Sequence, residues 1–137
     1  MKDILVALNS AAQNHRSQLF NITKATGLTI SEWKLLTQVI AGNTTQEMLS
    51  ETTKLDISTL SRQLKRLLEK EMIEKTAVGR DKRQLIYKVT EKGSKSSQYV
   101  QTEIDQLTDR VFNHWTEEEK NLLKILINRL EKSLNRI

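Results

Sequence analysis

Two clusters of cations dominate the chemistry open to this 137-residue chain: Arg62, Lys65 and Arg66 within ISTLSRQLKRLLEK, and Arg80, Lys82 and Arg83 within GRDKR. Guanidinium and ammonium groups at this density bind anions. Beside the hydroxyls of Ser58 and Thr59 they suit a polyanion whose base edges also carry donors and acceptors. The net charge of +5 is concentrated in the same region: Lys54 to Lys95 holds 12 Lys or Arg against 6 Asp or Glu, and the remainder holds 10 against 11. Such a local field favours nucleic acid, because each phosphate neutralised releases a counterion. A basic face that is merely solvated accounts for the charge equally well.

Other chemistries have little to work with. No cysteine is present, so no disulfide, thiol switch or thiolate metal site is available. The only histidines are His15 and His114, whereas zinc takes three or four protein ligands, and no metal is expected. There is no glycine-rich phosphate loop and no Ser/His/Asp set, so neither a catalytic centre nor a cofactor is expected. The acids Glu117, Glu118 and Glu119 read most simply as a helix start that complements the helix dipole. No apolar run approaches the roughly 18 residues of a membrane span. The opening MKDILVALNSAAQNHR turns polar too early, with an acid inside, for a signal peptide. A cytoplasmic protein of a single domain is expected.

Elements must hold the cations in place. Proline is absent, which removes the usual helix breaker. Three capping-box starts, Thr29 with Glu32, Thr44 with Glu47 and Thr116 with Glu119, together with Asp56 as a simpler N-cap, predict four helix beginnings. Apolar periodicity places helices at about 3–22, 30–41, 45–53, 57–70 and 91–113, and a last one after Thr116. On the helix from Ile57, residues set at 100° intervals put Ile57, Leu60, Leu64, Leu67 and Leu68 on a buried side and Ser58, Thr59, Arg62, Lys65 and Arg66 opposite. The pair 45–53 and 57–70, joined by a short turn, is a helix-turn-helix candidate. Alternating residues at 73–78 and 84–90 then predict two strands around the loop Gly79 to Arg83.

The expected fold is mainly α with a small β-hairpin wing: a winged helix-turn-helix. A hairpin directly after a recognition helix can carry its basic tip to phosphates or a minor groove. Asp81 is expected to hold the Arg83 guanidinium and so reduce the entropy lost on binding, with a turn cap as the simpler alternative.

Three stretches, ISEWKLL, DISTLSRQLKRLLEKEMIEK and GRDKRQLIYKVTEKG, resemble the MarR family of bacterial and archaeal transcription regulators. The shared order is an aromatic-containing helix start, a Ser/Thr-rich recognition helix ending in Leu-Glu, Asp-x-Arg in the wing and Thr-x-x-Gly leading into a long helix. The last two stand here as Asp81-Lys82-Arg83 and Thr90-Glu91-Lys92-Gly93. The resemblance implies one MarR-type domain over 1–137, with a DNA-binding lobe at about 29–93 and N- and C-terminal dimerisation helices at about 1–26 and 94–137. It departs from the family at Glu71, where Gly-Leu-Ile-x-Arg usually begins, so this helix must end without glycine's freedom. The absence of cysteine excludes the family's cysteine-based peroxide sensors.

Dimerisation has its own sequence signs. Leu123, Ile127, Leu130, Leu134 and Ile137 form a seam spaced four and three, as do Val100, Ile104, Leu107 and Val111. These stripes either pack within one subunit or form the dimer that the resemblance implies; a twofold dimer predicts a palindromic operator in double-stranded DNA. The resemblance also implies a repressor released by a small aromatic or phenolic ligand, for which His15, Arg16 and Trp33 are the candidate pocket residues, although a tryptophan on an apolar helical face is more often plain core and a lone histidine more often a satisfied or exposed one. The competing expectation is a winged-helix module for protein interaction or nonspecific DNA binding, without ligand sensing.

Overall fold

The computed structural model describes residues 3–137. Its elements run α1 (Ile4–Lys24), α2 (Ile30–Ile40), α3 (Gln46–Thr53), α4 (Ile57–Glu69), β1 (Ile73–Val78), β2 (Gln84–Val89), α5 (Glu91–Val111) and α6 (Glu117–Asn135). The strands form an antiparallel hairpin in which Ile73 faces Val89 and Val78 faces Gln84. This is the mainly helical winged helix-turn-helix that the sequence predicts. The described chain resolves into two compact units, one ending at Ile104 and one from Asp105 to Ile137. No helix among the described residues is long and apolar enough to cross a membrane.

Capping fixes where the helices begin. The boxes at Thr29–Glu32 and Thr116–Glu119 are both closed reciprocally, and Asp56 caps α4 by accepting from the Thr59 N–H. For α3 the expected Thr44–Glu47 box is displaced by one residue: Thr45 is the N-cap and accepts from the Met48 N–H. Thr44 is committed elsewhere, since its carbonyl accepts a 2.7 Å bond from the Tyr87 N–H of β2.

The core lies beneath α4, where Leu60, Leu64 and Leu67 pack among Leu28, Leu35, Leu36, Val39, Leu49, Met72 and Tyr87. Burying each such leucine contributes about 1.5–3 kcal/mol, enough for this one face to fix the helix's rotation and turn its polar side outward. Ile57 departs from the expected buried arc and is 71% exposed. At the first turn of α4, outside the buried core, Ile57 lines an open groove with Gln46, Glu47, Ser50 and Glu51 of α3.

The end of α4 shows what replaces the missing glycine. Met72 N–H donates to the Leu67 carbonyl and Glu71 N–H to the Leu68 carbonyl, the paired bonds of a Schellman ending, and Glu71 itself takes φ 60°. The carbonyls just beyond are gathered by the start of α5. Thr90 Oγ1 donates to the Glu71 carbonyl at 2.6 Å, Thr90 N–H to the Met72 carbonyl at 3.1 Å, and Lys92 Nζ to the Lys70 carbonyl at 2.9 Å. Gly93 is buried against this joint, and a Cβ built there would stand 2.0 Å from the Met72 carbonyl oxygen. Thr-x-x-Gly is therefore a packing motif: the threonine bonds the chain crossing beside it, and the glycine lets the two backbones approach.

In the second unit, Phe112 and Trp115 meet edge to face with ring centroids 5.1 Å apart. Along α6, Leu123 and Leu130 are half-buried, while Leu122, Ile125, Leu126, Ile127 and Leu134 are exposed. At the other end of the chain, Ile4, Leu5 and Val6 of α1 are exposed as well.

Candidate nucleic-acid interface

The face of α4 opposite its leucines carries the predicted residues in the predicted arrangement: Ser58, Arg62, Lys65 and Arg66 are exposed and Thr59 is half-buried. Their hydrogen bonds, which the sequence did not disclose, restrict what each can offer. Asp56 Oδ1 accepts from Thr59 N–H at 2.7 Å and from Ser58 Oγ at 3.1 Å. Hydrogen bonds from Thr59 and Ser58, helped by the Arg62 charge, hold the Asp56 carboxyl below its usual range. Ser58 thus has its proton committed and presents only acceptor capacity outward. Arg62 Nη2 donates to Thr59 Oγ1 at 3.5 Å, a long bond on an exposed surface that leaves the guanidinium's other N–H groups to donate.

The wing tip is built as a tight turn. Gly79 takes φ 95°, Lys82 N–H donates to the Gly79 carbonyl at 3.2 Å, and Lys82 turns left-handed at φ 53°. Asp81 contacts Arg83 at two points. Its Oδ1 accepts from the Arg83 backbone N–H at 3.3 Å, and its Oδ2 lies 3.4 Å from Arg83 Nε. Arg80, Lys82 and Arg83 are all exposed at this tip.

The C-terminal end of α4 has an anchor that the sequence did not reveal. Glu32, almost wholly buried at 1%, receives Lys70 Nζ at 2.6 Å on the same oxygen that accepts the Thr29 N–H, and Lys70 also donates to the Gly27 carbonyl at 2.8 Å. Burial opposes ionisation of Glu32, but the Lys70 and Thr29 hydrogen bonds and the charges of Lys70 and Arg66 outweigh it, holding the carboxyl below its usual range. The two partners are 38 residues apart in sequence. The available signal was Glu32 at the third position of α2, which accounts only for its cap.

The three candidate ligand residues are not brought together. Arg16 lines an open groove of about 660 Å³ with Gln13, Ser17, Phe20, Asn21 and Ile30. Trp33 packs half-buried against the core with its indole N–H lacking a hydrogen-bond partner, and His15 is exposed on α1 outside that groove. Among the described residues no three or more His, Asp or Glu side chains cluster in a way that could hold a metal ion.

Residues 26–84 match the model of the MarR family. Over that stretch the chain is similar to the MarR-family winged helix. Solved MarR-type structures superpose along nearly its whole length. A mutant of MepR from S. aureus is 17% identical, with TM-score 0.83, covering 97% of this chain and 99% of that one. YusO from Bacillus subtilis is 19% identical, with TM-score 0.79, covering 95% and 93%. A cysteine-to-serine mutant of MarR from E. coli, crystallised in complex with operator DNA, is 20% identical, with TM-score 0.73, covering 94% and 99%. At these identities the superpositions establish the fold. No curated protein matches the chain in sequence.

Proposed function

We propose that this chain is a homodimeric, sequence-specific DNA-binding regulator of the MarR type that represses transcription at a palindromic operator in the cytoplasm. The observation that carries this reading is one continuous chemistry on two adjoining elements: an outward α4 face of Ser58, Thr59, Arg62, Lys65 and Arg66, followed directly by a turn that presents Arg80, Lys82 and Arg83. In this reading α4 enters the major groove and the wing cations reach the flanking phosphates or minor groove. Asp81 keeps the Arg83 guanidinium oriented. The operator complex of the E. coli MarR mutant supports the reading by analogy of fold.

Dimerisation is supported by apolar side chains that the single chain leaves in water: Ile4, Leu5 and Val6 on α1 and, on α6, Leu122, Leu126, Ile127 and Leu134. Contiguous exposed apolar side chains on a helix face mark a surface for association. A second copy of the same faces, related by a twofold axis, covers it and sets two α4 helices about one DNA turn apart. A small aromatic or phenolic acid is the proposed releasing ligand. Arg16 and Phe20 in the α1 groove supply the cation and ring it would need, whereas His15 and Trp33 do not line that groove.

The test is selection of bound sequences from random duplex DNA at near-physiological salt, followed by the variants Arg62→Ala and Arg83→Ala. The expected result is an enriched palindrome that each variant binds more weakly while remaining dimeric. The salt slope should become shallower by about 1 for each phosphate no longer neutralised. Binding without enrichment that vanishes steeply with salt would replace this reading with nonspecific contact or protein interaction.

A further inference from the structure

Resting on the DNA-binding reading, we infer that Ile57 is a specificity residue that reads a thymine 5-methyl group in each half-site. Three observations lead there. Ile57 opens α4, next to the hydroxyls of Ser58 and Thr59, yet stands 71% exposed although it is a large aliphatic residue. Its polar neighbours are engaged: Ser58 donates to Asp56, and Thr59 accepts from Arg62. Their remaining capacity at the helix tip is chiefly for accepting hydrogen bonds. On its α3 side Ile57 borders Glu47 and Glu51, whose carboxylates repel phosphate, so the DNA backbone is met by the cationic flank and Ile57 is left for the floor of the groove.

In the major groove the apolar feature that distinguishes one base pair from the others is the thymine methyl group. An A·T pair orders its major-groove edge as adenine N7 acceptor, adenine N6 donor, thymine O4 acceptor and methyl, so an exposed aliphatic group near a hydroxyl acceptor can meet the methyl and, across O4, the N6 donor of one pair. Arginine or lysine at the tip would instead select guanine.

The experiment uses the operator selected with the unmodified full-length protein. Each thymine of the half-site is replaced in turn by deoxyuridine, which removes only the methyl group, and binding is measured for the unmodified protein and for Ile57→Ala. Burying one methyl corresponds to about a fourfold change in affinity, and to about fifteenfold when both half-sites are substituted. At one thymine position the unmodified protein should show this loss, whereas Ile57→Ala should bind the thymine and uracil operators equally. Because the side chain is exposed, the variant keeps its fold and its salt dependence. Equal binding of thymine and uracil operators by the unmodified protein at every position overturns the inference, as does full thymine preference in Ile57→Ala. If no operator is enriched, the DNA-binding reading itself fails and takes this inference with it.

Discussion

Glu71 occupies a backbone position made for glycine, and replacing it should stabilise the protein. At φ 60° a residue with a Cβ stores about 1–2 kcal/mol that glycine does not. Against that gain, glycine adds about 0.4–1 kcal/mol of freedom to the unfolded chain. Little else is lost, because Glu71 is exposed and the bonds made at this position, from its N–H to Leu68 and from Thr90 Oγ1 to its carbonyl, belong to the backbone. The net expectation for Glu71→Gly is a gain of about 0.5–1 kcal/mol, or a rise in Tm of about 2–5 °C for a chain of this size. Urea unfolding at fixed protein concentration should show a higher midpoint with an unchanged slope. Glu71→Ala removes the same carboxylate but keeps the Cβ, and should give no such gain. A Glu71→Gly protein no more stable than the unmodified one, or an alanine variant that gains as much, would refute the strain argument.

Gly93→Ala should fail in the opposite direction. The added methyl would meet the Met72 carbonyl oxygen at 2.0 Å and Val89 Cγ2 at 2.9 Å, so the joint must open and release the Thr90 N–H bond, at a cost of about 3 kcal/mol or more by denaturant titration. Glu32 should leave a signature in acid. Its carboxyl is depressed in the folded state, so between its folded and unfolded pKa values the unfolded chain binds the extra proton. The stability it contributes is therefore complete above the unfolded value near 4.3 and is lost as pH falls through the folded one. Glu32→Gln should be about 1–2 kcal/mol less stable at neutral pH, with a flatter acid limb in the difference from the unmodified protein. The fully buried-pair cost is not reached because Lys70 is about one-third exposed and can turn to water. An identical acid limb in both proteins would contradict this assignment.

The architecture was legible because its signals are local. Apolar periodicity and caps such as Asp56 and Thr116 are written within one or two turns, and strand alternation placed β1 at 73–78. The outward face of α4 followed from the same geometry. What escaped depends on neighbours distant in the chain. Ile57 fits the apolar arc by angle, yet whether it is covered depends on how far α3 extends along α4. Thr44 fits a capping box, yet its carbonyl is drawn to Tyr87 in β2. The Glu32–Lys70 pair joins two helices that no local pattern links. The missing glycine at Glu71, by contrast, was visible by comparison with the family pattern, although that Glu71 itself takes up the left-handed backbone is seen only in the structure.

The joint between α4, the hairpin and α5 has a mechanical consequence. Carbonyls of Lys70, Glu71 and Met72 are each bonded from Thr90 or Lys92, and Gly93 is seated without a gap to spare. The first turns of α5 therefore cannot swivel without dragging the hairpin and the end of α4 along as one rigid plate. In a dimer, a signal reaching α5 would be spent on the distance between two plates and would leave each plate's shape intact. Its readout would be a changed tolerance for the number of base pairs separating the half-sites, with the bases preferred inside each half-site unaltered.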